Sequence, residues 1–211
     1  MSDLSKTPDA GPDIPSIAFA DRVTRIAPSP TVAISTLALD LRAAGRDVIG
    51  LAVGEPDFET PSHVKEAAIR AIHDGHTRYT QVDGIPELKE AVAEKFRREN
   101  GLDVSAANIS VGTGGKQVLF NALMATVQAG DEVIIPAPYW VSFAGITEVA
   151  GGTPVFLASG FADGLKLSPE RLEAAITPRS RWVIINSPSN PTGMGYSCLL
   201  YTSPSPRDLT T

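Results

Sequence analysis

The feature that most restricts the fold is an alternation of two hydrophobic periods from residue 105 onward. Short apolar runs at Ile109–Val111, Glu132–Ile135, Pro154–Leu157 and Trp182–Ile185 read as strands. Between them, Lys116–Gln128 and Val141–Ala150 read as helices, and Ser168-Pro169 opens a third with Leu172, Ala175 and Ile176 inward. Strands separated by helical segments are joined by crossovers, which favour parallel pairing with helices laid over the sheet. The expected fold class is α/β, a three-layer sandwich with a largely parallel sheet. No internal repeat is visible.

Upstream of this region the pattern is mainly helical. Ile34, Leu37, Ala38 and Leu41 predict a helix over Ala33–Ala44, closed by Gly45, and Val48–Val53 predicts a short strand. Gly54-Glu55-Pro56-Asp57 must be loop. Thr60-Pro61 is the expected start of a helix that ends at Gly75, with Val64, Ala67, Ala68, Ala71 and Ile72 on one face. Pro86 opens another, with Leu88, Ala91, Val92 and Phe96 inward, Glu94–Glu99 as its charged solvated face, and Gly101 at its end. Residues 1–20 are polar and proline-rich without an amphipathic period, and are expected to form a flexible lead-in.

The 211 residues are 43% hydrophobic and 20% charged, ample for a sizeable core. A net charge of -6 gives no cationic field for a phosphate backbone or an anionic membrane, so neither nucleic acid nor membrane is an expected partner. The chain has no apolar run of about 18 residues and no secretory signal pattern, so the expected location is cytoplasmic. Cys198 is the one cysteine, which excludes an internal disulfide, and it is expected to be inert. His63, His73 and His76 lie on or just after one helix without further ligands at metal spacing, so no metal site is expected.

Three loops carry groups that could do chemistry. Gly112-Thr113-Gly114-Gly115-Lys116 joins a strand to a helix, where glycines admit an anion to backbone N–H groups and the helix dipole favours it; it is equally a plain glycine turn. It matches neither the dinucleotide fingerprint nor the P-loop. Pro138-Tyr139-Trp140 follows a strand at the edge where α/β sheets bind ligands, and Trp140 is either a stacking face for a planar heterocycle or a core aromatic. The segment Asn186 to Gly193 follows another strand, and its Asn190-Pro191 bond is a candidate cis peptide in what is otherwise a surface turn.

Five motifs occur in order: Gly54 to Phe58, Tyr79 with Gly84 to Leu88, Gly114 to Gln117, Pro138 to Trp140, and Asn186 to Gly193. Together they resemble the class I, fold type I pyridoxal-phosphate-dependent aminotransferases, most closely the bacterial aspartate aminotransferases, over Asp21 to Gly193. The resemblance implies pyridoxal 5'-phosphate as cofactor, amino acids and 2-oxo acids as substrates, and a homodimer. It implies that Gly54 contacts the substrate carboxylate, that Gly114, Gly115 and Lys116 hold the cofactor phosphate, and that Trp140 stacks on the pyridine ring. Asn190 would bond the ring hydroxyl oxygen beside the substrate, and Tyr79 would reach the phosphate in a neighbouring subunit.

On that pattern residues 21–53 are the amino-terminal segment of a small domain, 54–193 a partial large cofactor-binding domain, and 194–211 a foreign or misread tail. The family's Schiff-base lysine is expected beyond Gly193, and the tail contains none. The chain by itself is therefore expected to be inactive. A lyase of the same fold and a non-catalytic binding fragment are the alternatives.

Overall fold

The computed structural model describes residues 18–51, 54 and 56–197. Expectations for residues 1–17, Ala52, Val53, Glu55 and 198–211, Cys198 included, lie outside the described residues.

The core is built on one strand. Strand β1 (Glu132–Ala137) lies between β2 (Thr153–Ala158) and β3 (Ser180–Val183), and both neighbours run parallel to it. Val133 of β1 is opposite Pro154 on one side and Trp182 on the other. A strand covered on both faces reads as a continuous apolar run, and Val133, Ile134 and Ile135 are all fully buried. Sequence reading finds all three strands, although β3 is shifted two residues towards the amino terminus from the expected Trp182–Ile185.

Helix α5 (Gly115–Thr126) precedes β1, α6 (Ser142–Val149) carries the crossover from β1 to β2, and α7 (Pro169–Ala175) lies between β2 and β3. Leu123 and Val127, in and just after α5, meet Val133 and Ile135 of β1 and Phe143 and Ile146 of α6. Burial of each such side chain contributes roughly 1.5–3 kcal/mol, so this cluster supplies most of the cohesion here. Ser168 caps α7 by accepting from the Arg171 N–H, with Pro169 in the first turn. At the other end of α5, the Trp182 indole donates to Thr126 Oγ1 at 2.8 Å and fastens the helix to β3.

A polar lock closes the amino ends of the strands. The Glu132 carboxylate, on a buried residue, accepts from Thr177 Oγ1 at 2.6 Å and from Arg179 Nε at 2.9 Å. The Thr177 and Arg179 hydrogen bonds hold this carboxyl below the usual carboxylate range.

The first half of the chain contributes α1 (Asp21–Thr24), α2 (Pro30–Ala43), α3 (Ser62–His73) and α4 (Pro86–Lys95). Helix α2 begins three residues before the expected Ala33 because Ser29 accepts from the Val32 N–H and Pro30 occupies its first turn. The expected capping role of Thr60 is corrected: Pro61 is itself the residue before α3, and no side chain caps that end. Helix α4 relaxes into a π turn over Phe96–Asn100 before Gly101. The helices form, but α1 to α4 contain no buried residue, and Leu88, expected to face inward, is exposed.

Two expected strands are corrected. Ile109–Val111 does not join the sheet; Val111 donates to Asp83 O at 2.9 Å instead. Residues 48–51 form no strand either. An apolar run specifies burial, whereas a strand also needs a ladder partner, and among the described residues neither segment is paired with one. Among the described residues no helix is long and apolar enough to cross a membrane.

Candidate active site

The carboxyl end of β1 is followed by a cis Ala137-Pro138 bond, then Tyr139 and Trp140, and α6 begins two residues later. Tyr139 turns towards β2 and stacks on Phe156 with ring centres 4.9 Å apart. Trp140 packs beside it, partly buried, on the same core cluster and meets the ring of Phe143 edge to face at 5.4 Å. Its ring is also reached by the Lys116 ammonium, 5.0 Å from the ring centre, which brings the start of α5 to this loop.

The turn into α5 is shaped by its glycines. Gly114 adopts φ 104 and ψ 158, a conformation that only glycine takes readily, and its carbonyl accepts from the Gln117 and Val118 N–H groups. The Gly115 and Lys116 N–H groups have no acceptor among the described residues. Two unpartnered donors at the positive end of a 12-residue helix are an anion-binding arrangement.

The third loop follows β3. Asn190-Pro191 is cis, as is Ser187-Pro188, and the Asn190 N–H donates to Asn186 Oδ1 at 2.8 Å. Met194 and Tyr196 are tied into this loop: the Ser189 N–H donates to Met194 O at 2.9 Å and the Tyr196 N–H to Ser187 Oγ at 3.0 Å. The Tyr196 hydroxyl accepts from the Leu167 N–H at 2.9 Å. Met194 and Tyr196, in the segment expected to be a foreign or misread tail, are thus hydrogen-bonded to the loop that precedes it. A cavity of about 20 Å³ between the two loops is lined by Tyr139, Phe143, Asn186 and Tyr196. It has room for a single water.

The structure thus joins Lys116 to Trp140 and sets Gly114 and Gly115 beside Lys116. Asn190 lies in the adjoining loop, tied to Asn186. Gly54 and Tyr79 are exposed, and neither makes a hydrogen bond or ring contact with this cluster among the described residues. Sequence reading misses the contacts of Asn186 and Tyr196 and the partner of Thr113, which is Gln117. Only Gln117 leaves a signal, since it stands one helical turn after Thr113.

The pattern of the family described as aminotransferase class I and II matches residues 46–199. The chain belongs to this aminotransferase family. An aspartate/prephenate aminotransferase of Cereibacter sphaeroides is 62% identical over 179 residues, covering 85% of this chain and 45% of the relative. The crystal structure of the aspartate aminotransferase from Rhizobium meliloti superposes with a TM-score of 0.84 at 52% identity, covering 88% of this chain and 46% of that one. The aspartate aminotransferase of Thermus thermophilus, solved with maleate, gives 0.85 at 49% identity over 88% of this chain and 48% of that one. The chain spans somewhat under half the length of these aminotransferases. The aminotransferase match continues six residues past Gly193, through the hydrogen-bonded Met194 and Tyr196.

Class I aminotransferases use pyridoxal 5'-phosphate. The donors present fit it: a dianionic phosphate matches the unpartnered Gly115 and Lys116 N–H groups, and a flat heterocycle matches the Trp140 ring.

Proposed function

We propose that the protein of which this chain is part transfers an amino group between a dicarboxylic amino acid, aspartate or glutamate, and a 2-oxo acid, using pyridoxal 5'-phosphate. The observation that carries the reading is the meeting of Lys116, at an unpartnered helix start, with Trp140, in a chain of the aminotransferase family. The dicarboxylate in the Thermus thermophilus relative supports the substrate class.

When bound, the cofactor supplies an electron sink that makes the substrate α-carbon acidic. The chain's own groups bind and orient. Gly115 and Lys116 donate their N–H groups to the phosphate, where the α5 dipole adds attraction. Trp140 presents an apolar face to the ring and excludes water from that side. Asn190 donates its amide to the ring hydroxyl oxygen, and the Gly54 N–H receives the substrate carboxylate. Tyr79, whose side chain is fully exposed, extends to the phosphate of a second subunit in a homodimer. A cytoplasmic location belongs to the same proposal.

The test is an aspartate-to-2-oxoglutarate assay on the full-length gene product loaded with pyridoxal 5'-phosphate. Turnover that falls on Trp140→Leu is expected. A loaded protein that turns over no dicarboxylic amino acid would overturn the reading.

A further inference from the structure

We infer that Gln117 is a positioning residue that holds the Gly112–Lys116 loop in its anion-binding shape, an inference that rests on the cofactor reading above. The Gln117 side chain folds back over its own helix start. Its Oε1 accepts from the Thr113 N–H at 2.5 Å and from Thr113 Oγ1 at 2.9 Å. One oxygen thereby takes both donors of Thr113 across a single helical turn.

The space for this fold-back exists because residue 112 is glycine. A Cβ there would lie 2.9 Å from Gln117 Oε1 and 3.0 Å from Val118 Cγ2, so a side chain would displace the amide. With Thr113 engaged by Gln117, and with Gly114 O engaged by the Gln117 and Val118 N–H groups, the Gly114, Gly115 and Lys116 amides at the helix start are left as open donors among the described residues, as is that of Gly112. Three of the five residues from Gly112 to Lys116 are glycine, so without a tether the loop samples many shapes. An anion would then have to order the loop as it binds, at the expense of affinity. Gln117 acts on the ligand through Thr113 and the loop, not by touching it.

The test compares the full-length gene product, freed of cofactor, with its Gln117→Met variant, which keeps side-chain length but removes the acceptor, and its Thr113→Ser variant, which keeps both donors. Titration calorimetry follows pyridoxal 5'-phosphate, inorganic phosphate and pyridoxal, and hydrogen exchange follows the amides of Thr113 and of β1. Gln117→Met is expected to weaken both phosphate ligands about tenfold, the loss set by two ordinary hydrogen bonds, and to leave pyridoxal unchanged. Its Thr113 amide should exchange faster while Val133 stays protected, and Thr113→Ser should bind as the unaltered protein does. If the unaltered protein binds pyridoxal 5'-phosphate and Gln117→Met binds it equally well, the inference fails and the cofactor reading stands. Equal loss of all three ligands with deprotection of Val133 also overturns it, as a general effect on the fold. No binding of pyridoxal 5'-phosphate by the unaltered full-length protein overturns the cofactor reading and the inference together.

Discussion

Lys116 and Trp140, separated by all of β1, meet with the ammonium 5.0 Å from the indole centre. A cation over an aromatic ring that is partly buried, as Trp140 is, contributes about 1 kcal/mol. Lys116→Met is therefore expected to lower unfolding free energy by no more than about 1 kcal/mol. It should also shift Trp140 emission when measured in a Trp182→Phe background. Unchanged emission would contradict the contact.

Gly84 is the second point of close approach. It has φ +111, and a Cβ there would fall 2.7 Å from Val111 Cγ2, while Asp83 O accepts from the Val111 N–H. Asp83 also pairs with Lys89, whose hydrogen bond holds the Asp83 carboxyl below its usual range. Gly84→Ala meets both backbone strain and a clash, and is expected to cost about 1–3 kcal/mol in chemical denaturation. A neutral effect would show that this loop is not seated on Val111.

The lock at Glu132 makes stability depend on acid. Hydrogen bonds from Thr177 and then Arg179 depress the folded value of this carboxyl, so its contribution is present above the unfolded value of about 4.3. As pH falls through the lower folded value, Glu132 binds a proton and that contribution is lost. Thermal midpoints of the unaltered chain should fall across this range more steeply than those of Glu132→Gln. Parallel curves would contradict the lock.

The legible parts of the fold were those that local chemistry decides. The Val133-Ile134-Ile135 run marks a strand buried on both faces, and Ser168-Pro169 marks a helix start by a cap that forms. Ile109–Val111 misleads because an apolar run does not say whether a ladder partner lies beside it. At the site, the loops that carry Lys116 and Trp140 were legible from their glycine and proline punctuation, but the contact between the two residues was not. The contacts of Asn186 and Tyr196 were not, since they are made across the chain: Tyr196 reaches Leu167, 29 residues away. The apolar faces of α2 and α3 were readable as faces, but spacing alone does not say what covers them.

Lysine placement gives a chemical prediction for the chain by itself. Lys65, Lys89 and Lys95 are engaged with Glu59, Asp83 and Glu99, and Lys116 sits at the proposed phosphate end. The 211-residue chain should show no transamination, and borohydride reduction with pyridoxal 5'-phosphate should not label one lysine stoichiometrically. Peptide mapping that finds a single stoichiometric site, together with turnover, would contradict this.

In the proposed function the start of α5 and Trp140 form one cradle for a phosphorylated pyridine. Fluorescence titration of the Trp182→Phe chain, in which Trp140 is the remaining tryptophan, tests it most directly. Pyridoxal 5'-phosphate is predicted to quench Trp140 saturably, and inorganic phosphate to reverse the quenching by competition. Quenching that rises without saturation and ignores phosphate, matched in a Trp140→Phe chain that retains Trp182, would contradict the account.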